Sequence, residues 1–385
     1  MVFVRLLKSK NLDSGYKFRK EIMTSFNNIL KWLTASLAAS ILFIACVKDK
    51  PVTSQPTDNN SAGRKVFIAN EGSLGNGNAS LSFYNIDKDS VFNQIYQTAN
   101  QQALGDVFQS MLIDNDRIYM AINNSDKVTV IDKKTYTLIG NIQVAKPRYL
   151  LKLSDSKMYV SSLYNPVINI VNPTTMQVTD SINIDYQNSE GLTQLNNKVY
   201  ACNWDTACNY IYEIDPSTDA ITARISIAGR ASQQVLVDKD QKLWVLAGNV
   251  YKGKVATLTQ IDPQSKAILK SFQFPAGADV MKPCWNPTKD TMYFLGVNYN
   301  GGTDYNGVYR MSVYSNTLPN NLFIPAQALQ YYWGLAVDSI KNQIYVSDPK
   351  GFIQNGNVSI YQADGTKLKS FNVGLGPGFF AFDNP

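Results

Sequence analysis

The sequence predicts an all-β fold: a seven-bladed β-propeller of four-stranded blades, its ring closed by a C-terminal strand that completes the first blade. Three observations carry this. A strand pattern centred on an aromatic residue recurs seven times. Six of those copies follow a further apolar strand, and the first does not. The missing strand stands at the opposite end of the chain.

The aromatic strands are KVFIAN (Phe67), RIYMAIN (Tyr119), KMYVSS (Tyr159), KVYACN (Tyr200), KLWVLA (Trp244), TMYFLG (Tyr293) and QIYVSD (Tyr345), spaced 52, 40, 41, 44, 49 and 52 residues apart. Self-similarity at such a period marks a repeat architecture. A polar loop of variable length follows each copy, then an alternating strand: SLSFYNI, KVTVI, VINIV, YIYEI, ATLTQI, VYRMSVY and VSIYQ. In three copies the next turn is Asn172-Pro173, Asp215-Pro216 or Asp262-Pro263. Proline presets φ there and the Asn or Asp side chain bonds back to local backbone, so these are hairpin turns. An outer strand is legible in five copies: TLIGNIQV, QVTDSINI, AITARISI, AILKSFQF and KLKSFNV.

Innermost strands precede Tyr119, Tyr159, Tyr200, Trp244, Tyr293 and Tyr345 as QSMLID, YLLKL, GLTQL, QVLVD, CWN and GLAVD. The seventh is GFFAFDNP, Gly378 to Pro385. A unit with its inner strand at one terminus and the rest at the other assembles only if the chain closes into a ring. Closure also leaves only short, protected sheet edges. An open array or two sandwiches would leave the terminal strand without a partner. Composition agrees: Tyr 22, Phe 17 and Trp 5 with 17% charged residues favour half-buried strands over helices.

Charge and histidine usage exclude several function classes. Residues 1–45 hold seven Lys/Arg and two acids, which leaves 29 basic and 28 acidic groups in the remainder of a chain whose net charge is +6. A near-neutral body gives no electrostatic case for a nucleic-acid partner. The chain contains no histidine, which removes His-based acid–base and nucleophile systems and the usual zinc and copper sites. No spacing suggests a metal site, and no cofactor is implied.

The amino-terminal part reads as an export signal. Trp32 to Ala45 is an apolar run after Lys31, ending at Cys46. It is shorter than the roughly 20 residues a bilayer span needs and suits a signal-peptide core. Phe43-Ile44-Ala45-Cys46 resembles a bacterial lipobox, which implies that Cys46 is lipidated and becomes the first mature residue. The domain reading is therefore a leader over 1–45 (with Met23 as an alternative start), a flexible tether over 46–64 rich in Pro, Ser, Thr and Asn, and the propeller over 65–385. Lys48-Asp49 beside the cysteine points to the outer face of an outer membrane, with the lipid as the sole membrane contact. Cys202 and Cys208 flank NWDTA. In an exported protein they can form a disulfide, or they can stay as two buried thiols.

One face of the ring collects the long loops. NEGSLGNGNA, LYNP, NWDTACN, GNVYKGKV, NYNGGTDYNG and DPKGFIQNGN follow the aromatic strands, while AKPRY, YQNSE, AGRAS, DVMKPCW and QALQYYWG lead into inner strands. They bring Tyr149, Tyr164, Trp204, Tyr251, Trp285, Tyr299, Tyr305, Tyr332, Trp333 and Phe352 to that face, with Tyr186 and Tyr331. Arg148, Arg230 and Lys282 stand near the channel mouth. Loops normally carry small polar residues, so an aromatic rim points to recognition of a large, partly flat ligand or a protein partner. GSLGNGN superficially matches phosphate-cradling loops, but no helix pattern follows it, so it reads as a flexible connection.

The strand spacing, the K-[apolar]-Y-V strand and the Asp/Asn-Pro turns resemble YncE-like seven-bladed propellers over about 65–385. With the lipoprotein leader, the chain is similar to surface propeller lipoproteins that include BtuG-type corrinoid binders. The resemblance implies a surface-exposed outer-membrane lipoprotein that binds a small-molecule nutrient, first a corrinoid such as cobalamin, for handover to an uptake transporter of the TonB-dependent kind. Two other functions stay open: a protein–protein platform in the envelope, and a lactonase-like enzyme. Against the enzyme, the inner-strand approaches offer Glu190 and Asp106 with little else beside them.

Overall fold

A computed structural model describes residues 63–299 and 304–384. The predicted leader, Cys46 and the tether up to residue 62 lie outside the described residues. The tether boundary moves inward: Arg64 belongs to the folded body, its Nη2 donating to both oxygens of buried Asp338 at 2.7 and 2.8 Å.

Seven antiparallel four-stranded sheets form the ring. We number blades in chain order. Their inner strands are Pro377–Asp383 (blade 1), Phe108–Asp114, Pro147–Ser154, Ser189–Leu195, Ser232–Val237, Asp279–Trp285 and Gly334–Asp338 (blade 7). Blade 1 is completed by the carboxyl terminus, as predicted: Phe67 pairs with Ala381 and Ile68 with Phe380. The two outer strands that the sequence does not show are stubs, Ser90–Phe92 in blade 1 and Ile324–Pro325 in blade 6. A short helix, α1 (Ile95–Asn100), follows the first stub and buries Ile95 and Tyr96. No helix among the described residues is long and apolar enough to cross a membrane.

The reason for the repeated aromatic lies in the core, which is divided into seven clusters, one between each pair of adjacent blades. Phe67 packs between blades 1 and 2, Tyr159 between 3 and 4, and Tyr345 between 7 and 1. Each such ring contributes about 1.5–3 kcal/mol on burial. In blades 2 and 3 the tyrosine hydroxyl reaches the turn of the next blade. Tyr119 Oη donates to Pro173 O at 3.3 Å, and Tyr159 Oη donates to Asp219. The turns behave as their chemistry requires: Asn172 Oδ1 accepts from Thr174 N at 2.9 Å and Asp215 Oδ1 from Ser217 N at 2.9 Å. Tyr119 and Tyr159 thus tie their blades to the Pro-containing turns of the blades that follow.

Candidate functional site

Each inner strand enters the ring from the loop face, and in six of seven blades its first residues carry a register shift against the aromatic strand. A bulge of this kind inserts one extra residue and re-aims a side chain. The residues at these shifts are Gln109, Arg148, Glu190, Gln233, Lys282 and Gly378. In blade 7, Trp333 just precedes the inner strand. Blade 1 has no side chain to offer at Gly378, and Glu71 fills that space: a Cβ added there would stand 2.1 Å from Glu71 Oε1. The channel mouth is thus a ring with one group per blade, and all seven line a single cavity of about 810 Å³. Leu150, Leu192, Leu335 and Phe380 continue its lining, so the cavity is polar at the bulges and apolar along the strands.

The ring is strongly cross-linked. Arg148 clasps Glu190 through Nε at 2.8 Å and Nη2 at 3.2 Å, and its Nη1 donates to Gln109 Oε1. Trp333 Nε1 donates to Glu71 Oε1 at 2.8 Å, and the edge of Phe352 meets the Trp333 ring at 5.2 Å. Trp204 Nε1 and Gln233 Nε2 both donate to Gly248 O, at 3.0 and 2.8 Å. Burial lifts the carboxyls of Glu71 and Glu190 above the usual glutamate range, against the pull of Lys282 and Arg148 respectively.

A pH dependence follows for Glu71. Its folded carboxyl holds its proton more tightly than the unfolded one, so the stabilisation is complete below the ordinary value and is lost as pH rises through the folded value. Glu71→Gln mimics the neutral form and still accepts from Trp333. The variant is expected to melt about 2 °C or more above the parent at roughly pH 8, and with it near pH 4. Thermal melts at both pH values check this; a variant that is destabilised equally at both would show that the effect is independent of the charge on Glu71 and overturn the reading.

A second cavity of about 560 Å³ adjoins the first, with Trp204 forming part of both walls. Tyr164, Tyr251 and Tyr299 line it and remain 65%, 91% and 56% exposed. Tyr299 Oη donates to Asp279 Oδ2 at 2.9 Å, and Tyr331 packs edge-on against its ring at 5.9 Å. Of the residues expected on this face, Arg148, Tyr149, Trp204, Trp333 and Phe352 meet in the first cavity, and Tyr164, Tyr251 and Tyr299 join Trp204 in the second.

Others stand elsewhere. Trp285 is the last residue of the blade 6 inner strand, far along it from the mouth, and packs on Trp244 at 6.4 Å. Tyr332 is 4% exposed within the core between blades 6 and 7. Both were expected on the rim. Trp285 leaves it because the strand already begins at Asp279, and Tyr332, two residues ahead of its inner strand, packs into the interblade core with its hydroxyl donating to Pro325 O at 3.4 Å. Arg230 is exposed and donates to Ala207 O, and Tyr305 has left-handed backbone beside Gly296; neither lines a cavity described above. Of the two states open to Cys202 and Cys208, the structure has the pair of buried thiols, the first in the core of blades 4 and 5, the second with Sγ donating to Tyr210 O at 3.3 Å. Burial pushes the Cys208 thiol up to about 11. The GSLGNGN loop is pinned rather than free: Gly72 N donates to Leu375 O at 2.9 Å and Gly75 N to Asp106 Oδ2 at 2.8 Å.

Sequence reading missed Glu71, Gln109 and Gln233. Aligning the seven inner strands on their apolar runs exposes Gln109 and Gln233, since both fall at the position of Arg148 and Glu190. Glu71 has no such signal, because it substitutes across the ring closure for a residue without a side chain.

Among solved structures, the chain is similar to a quinonprotein alcohol dehydrogenase-like protein from Bacteroides thetaiotaomicron, at 14% identity and TM-score 0.64, over 84% of this chain and 78% of that one. It is also similar to hydrazine synthase of Kuenenia stuttgartiensis, at 14% identity and TM-score 0.55, over 71% of this chain and 88% of that one. At such identity these likenesses show the fold alone. No curated protein matches the sequence. Residues 64–381 match one family profile from end to end of the ring, and the chain belongs to that family, described as Domain of unknown function (DUF5074).

Proposed function

We propose that this protein is a binding propeller that captures a small-molecule nutrient at the loop-face mouth of its channel. It is displayed at the cell surface by a lipid on Cys46 and hands the ligand to an outer-membrane uptake transporter. The observation that carries the binding reading is the pair of adjoining cavities, about 810 and 560 Å³, that share Trp204 as a common wall. That indole is already fixed by its bond to Gly248 O, so stacking on it costs little side-chain entropy. The combined space suits a ligand of considerable size with flat apolar parts. A corrinoid is the first candidate, from the resemblance of the sequence and because Gln109 and Gln233 at the ring match a ligand edged with carboxamides.

The acids an enzyme would need are otherwise engaged. Glu190 is clasped by Arg148, Glu71 receives Trp333, and Asp106 holds the loop at Gly75. A partner-docking platform is the second reading, favoured by the exposure of Tyr164, Tyr251 and Tyr299.

Calorimetric titration of the purified protein with cobalamin, glycans and haem tests the proposal. Cobalamin is expected to bind, and Trp204→Ala or Trp333→Ala to weaken it by ~2 kcal/mol, roughly thirtyfold. Unchanged affinity in both variants would move the site elsewhere. Binding of a different compound with the same loss would keep the site and change the ligand. Recovery of a membrane complex by a protein that binds none of these compounds would favour the platform.

A further inference from the structure

Four ionisable side chains stand in the ring at the channel mouth, and three have their bonds filled from within it. Arg148 and Glu190 hold each other, and Glu71 accepts from Trp333. The fourth, Lys282, lines the same cavity and makes no hydrogen bond or ion pair among the described residues. Its ammonium has three donors, and taking them from water without a partner is costly. Lys282 is also where the repeat departs from its own rule. Val107, Lys146, Asn188 and Ala231 place the left-handed residue just ahead of the inner strand, whereas blade 6 places it inside the strand, on Lys282 itself at φ 53°. Non-glycine residues held in this region concentrate at functional sites. Local backbone strain and an unpaired cation therefore coincide on one residue, in a cavity whose other walls include Trp204, Trp333 and Phe352.

We infer that Lys282 is the anion-recognising residue of the mouth: the ligand presents a carboxylate or a phosphate group to its ammonium while a flat apolar part lies in the same cavity against Trp204. The inference rests on the reading of the mouth as a binding site and names the chemical class that the site selects. Glu71 and Glu190 attract Lys282 through space, but neither carboxylate bonds to it, since each is bonded to another ring member. The cost of keeping Lys282 unpaired is recovered when an anion arrives, the usual exchange of stability for function at a binding site.

Three naphthalene probes of the same shape test this by calorimetry on the purified protein: 2-naphthoate, 2-naphthyl phosphate and the uncharged 2-naphthamide. At least one anion is expected to bind the parent tenfold or more tighter than the amide; whichever anion is preferred identifies carboxylate or phosphate as the group. Lys282→Met should bring that anion down to the affinity of the amide, and Lys282→Arg should retain most of the preference. The Met variant should melt at or above the parent, because an unpaired cation has been removed; Lys282→Gln serves the same purpose if the Met variant fails to fold. Equal binding of anions and amide by the parent, or an anion preference that survives in Lys282→Met, overturns the assignment while leaving the site intact. If none of the three probes binds the parent, the reading of the mouth as a binding site falls, and the assignment with it.

Discussion

A chain that ends at Leu375 is expected not to form the native ring. The lost segment is the inner strand of blade 1, paired with Lys65–Asn70 along its length apart from the bulge at Gly378. It carries Phe380, 8% exposed in the core between blades 7 and 1, and Phe379 and Ala381 against the core between blades 1 and 2. Phe382 leaves with it, and with it the edge contact on Tyr345 at 5.2 Å. Removing a buried Phe costs about 3–5 kcal/mol. Even two such losses approach the total stability of an ordinary domain, about 5–15 kcal/mol. The truncation also exposes both faces of the gap and the bare edge of Lys65–Asn70, which invites aggregation. Far-UV circular dichroism, size exclusion and limited proteolysis check the outcome. Removal of Asn384 and Pro385 alone is the control, expected to be nearly neutral, since Asn384 contributes only an exposed bond to Arg64 Nε at 3.0 Å. A permutant provides the sharper test. Asp383 lies opposite Lys65 in the register, so the strand moved in front of Arg64 through a short turn should restore the fold. Failure of that permutant alongside a folded truncation would mean that ring closure does not govern stability.

The closure was readable in the sequence because it rests on counting: six inner strands before seven aromatic ones leave one vacancy, and one strand at the other terminus fills it. The interblade aromatics were equally plain, since Tyr119, Tyr159, Tyr200 and their counterparts perform the same packing at each interface and so retain the same neighbours in the chain. The stub strands and α1 were not readable. Blades 1 and 6 do not complete their outer edge with a full strand, and a stub of two or three residues has no periodicity to detect. At the site, the rim loops pointed to Trp204, Trp333, Arg148 and Tyr149. They misled at Trp285 and Tyr332, because the direction of a side chain there depends on where the strand begins and on a one-residue bulge, and a shift of one residue reverses every face. Glu71 was beyond reach altogether: its place is set by the absent side chain of Gly378 on the far side of the closure.

Arg148→Met is expected to destabilise the protein by about 3–5 kcal/mol near neutral pH, the scale for removing one partner of a buried ion pair. Arg148 bridges blades 2, 3 and 4 at the mouth, through Gln109, its own inner strand and Glu190. Methionine keeps the apolar stem and removes the guanidinium, so packing changes little and the loss is electrostatic. It leaves Glu190, 2% exposed, without the charge that faces it. The sign of the pH dependence follows. Burial already holds the folded Glu190 carboxyl above its ordinary value against the pull of Arg148; without that pull it rises further. A raised folded value means that the native state binds the proton more tightly, so the stability deficit should shrink as pH falls toward the ordinary glutamate value and widen as pH rises. Urea denaturation at several pH values reads this directly. Adding Glu190→Gln should recover most of the loss, because a neutral amide can remain buried with Gln109 beside the vacated position, and the double-mutant cycle should return a coupling of about 1–3 kcal/mol. A deficit that is flat with pH, or a double variant as unstable as the sum of the singles, would mean that Arg148 acts by filling space, and that the charge ring is not what holds the mouth of the channel in shape.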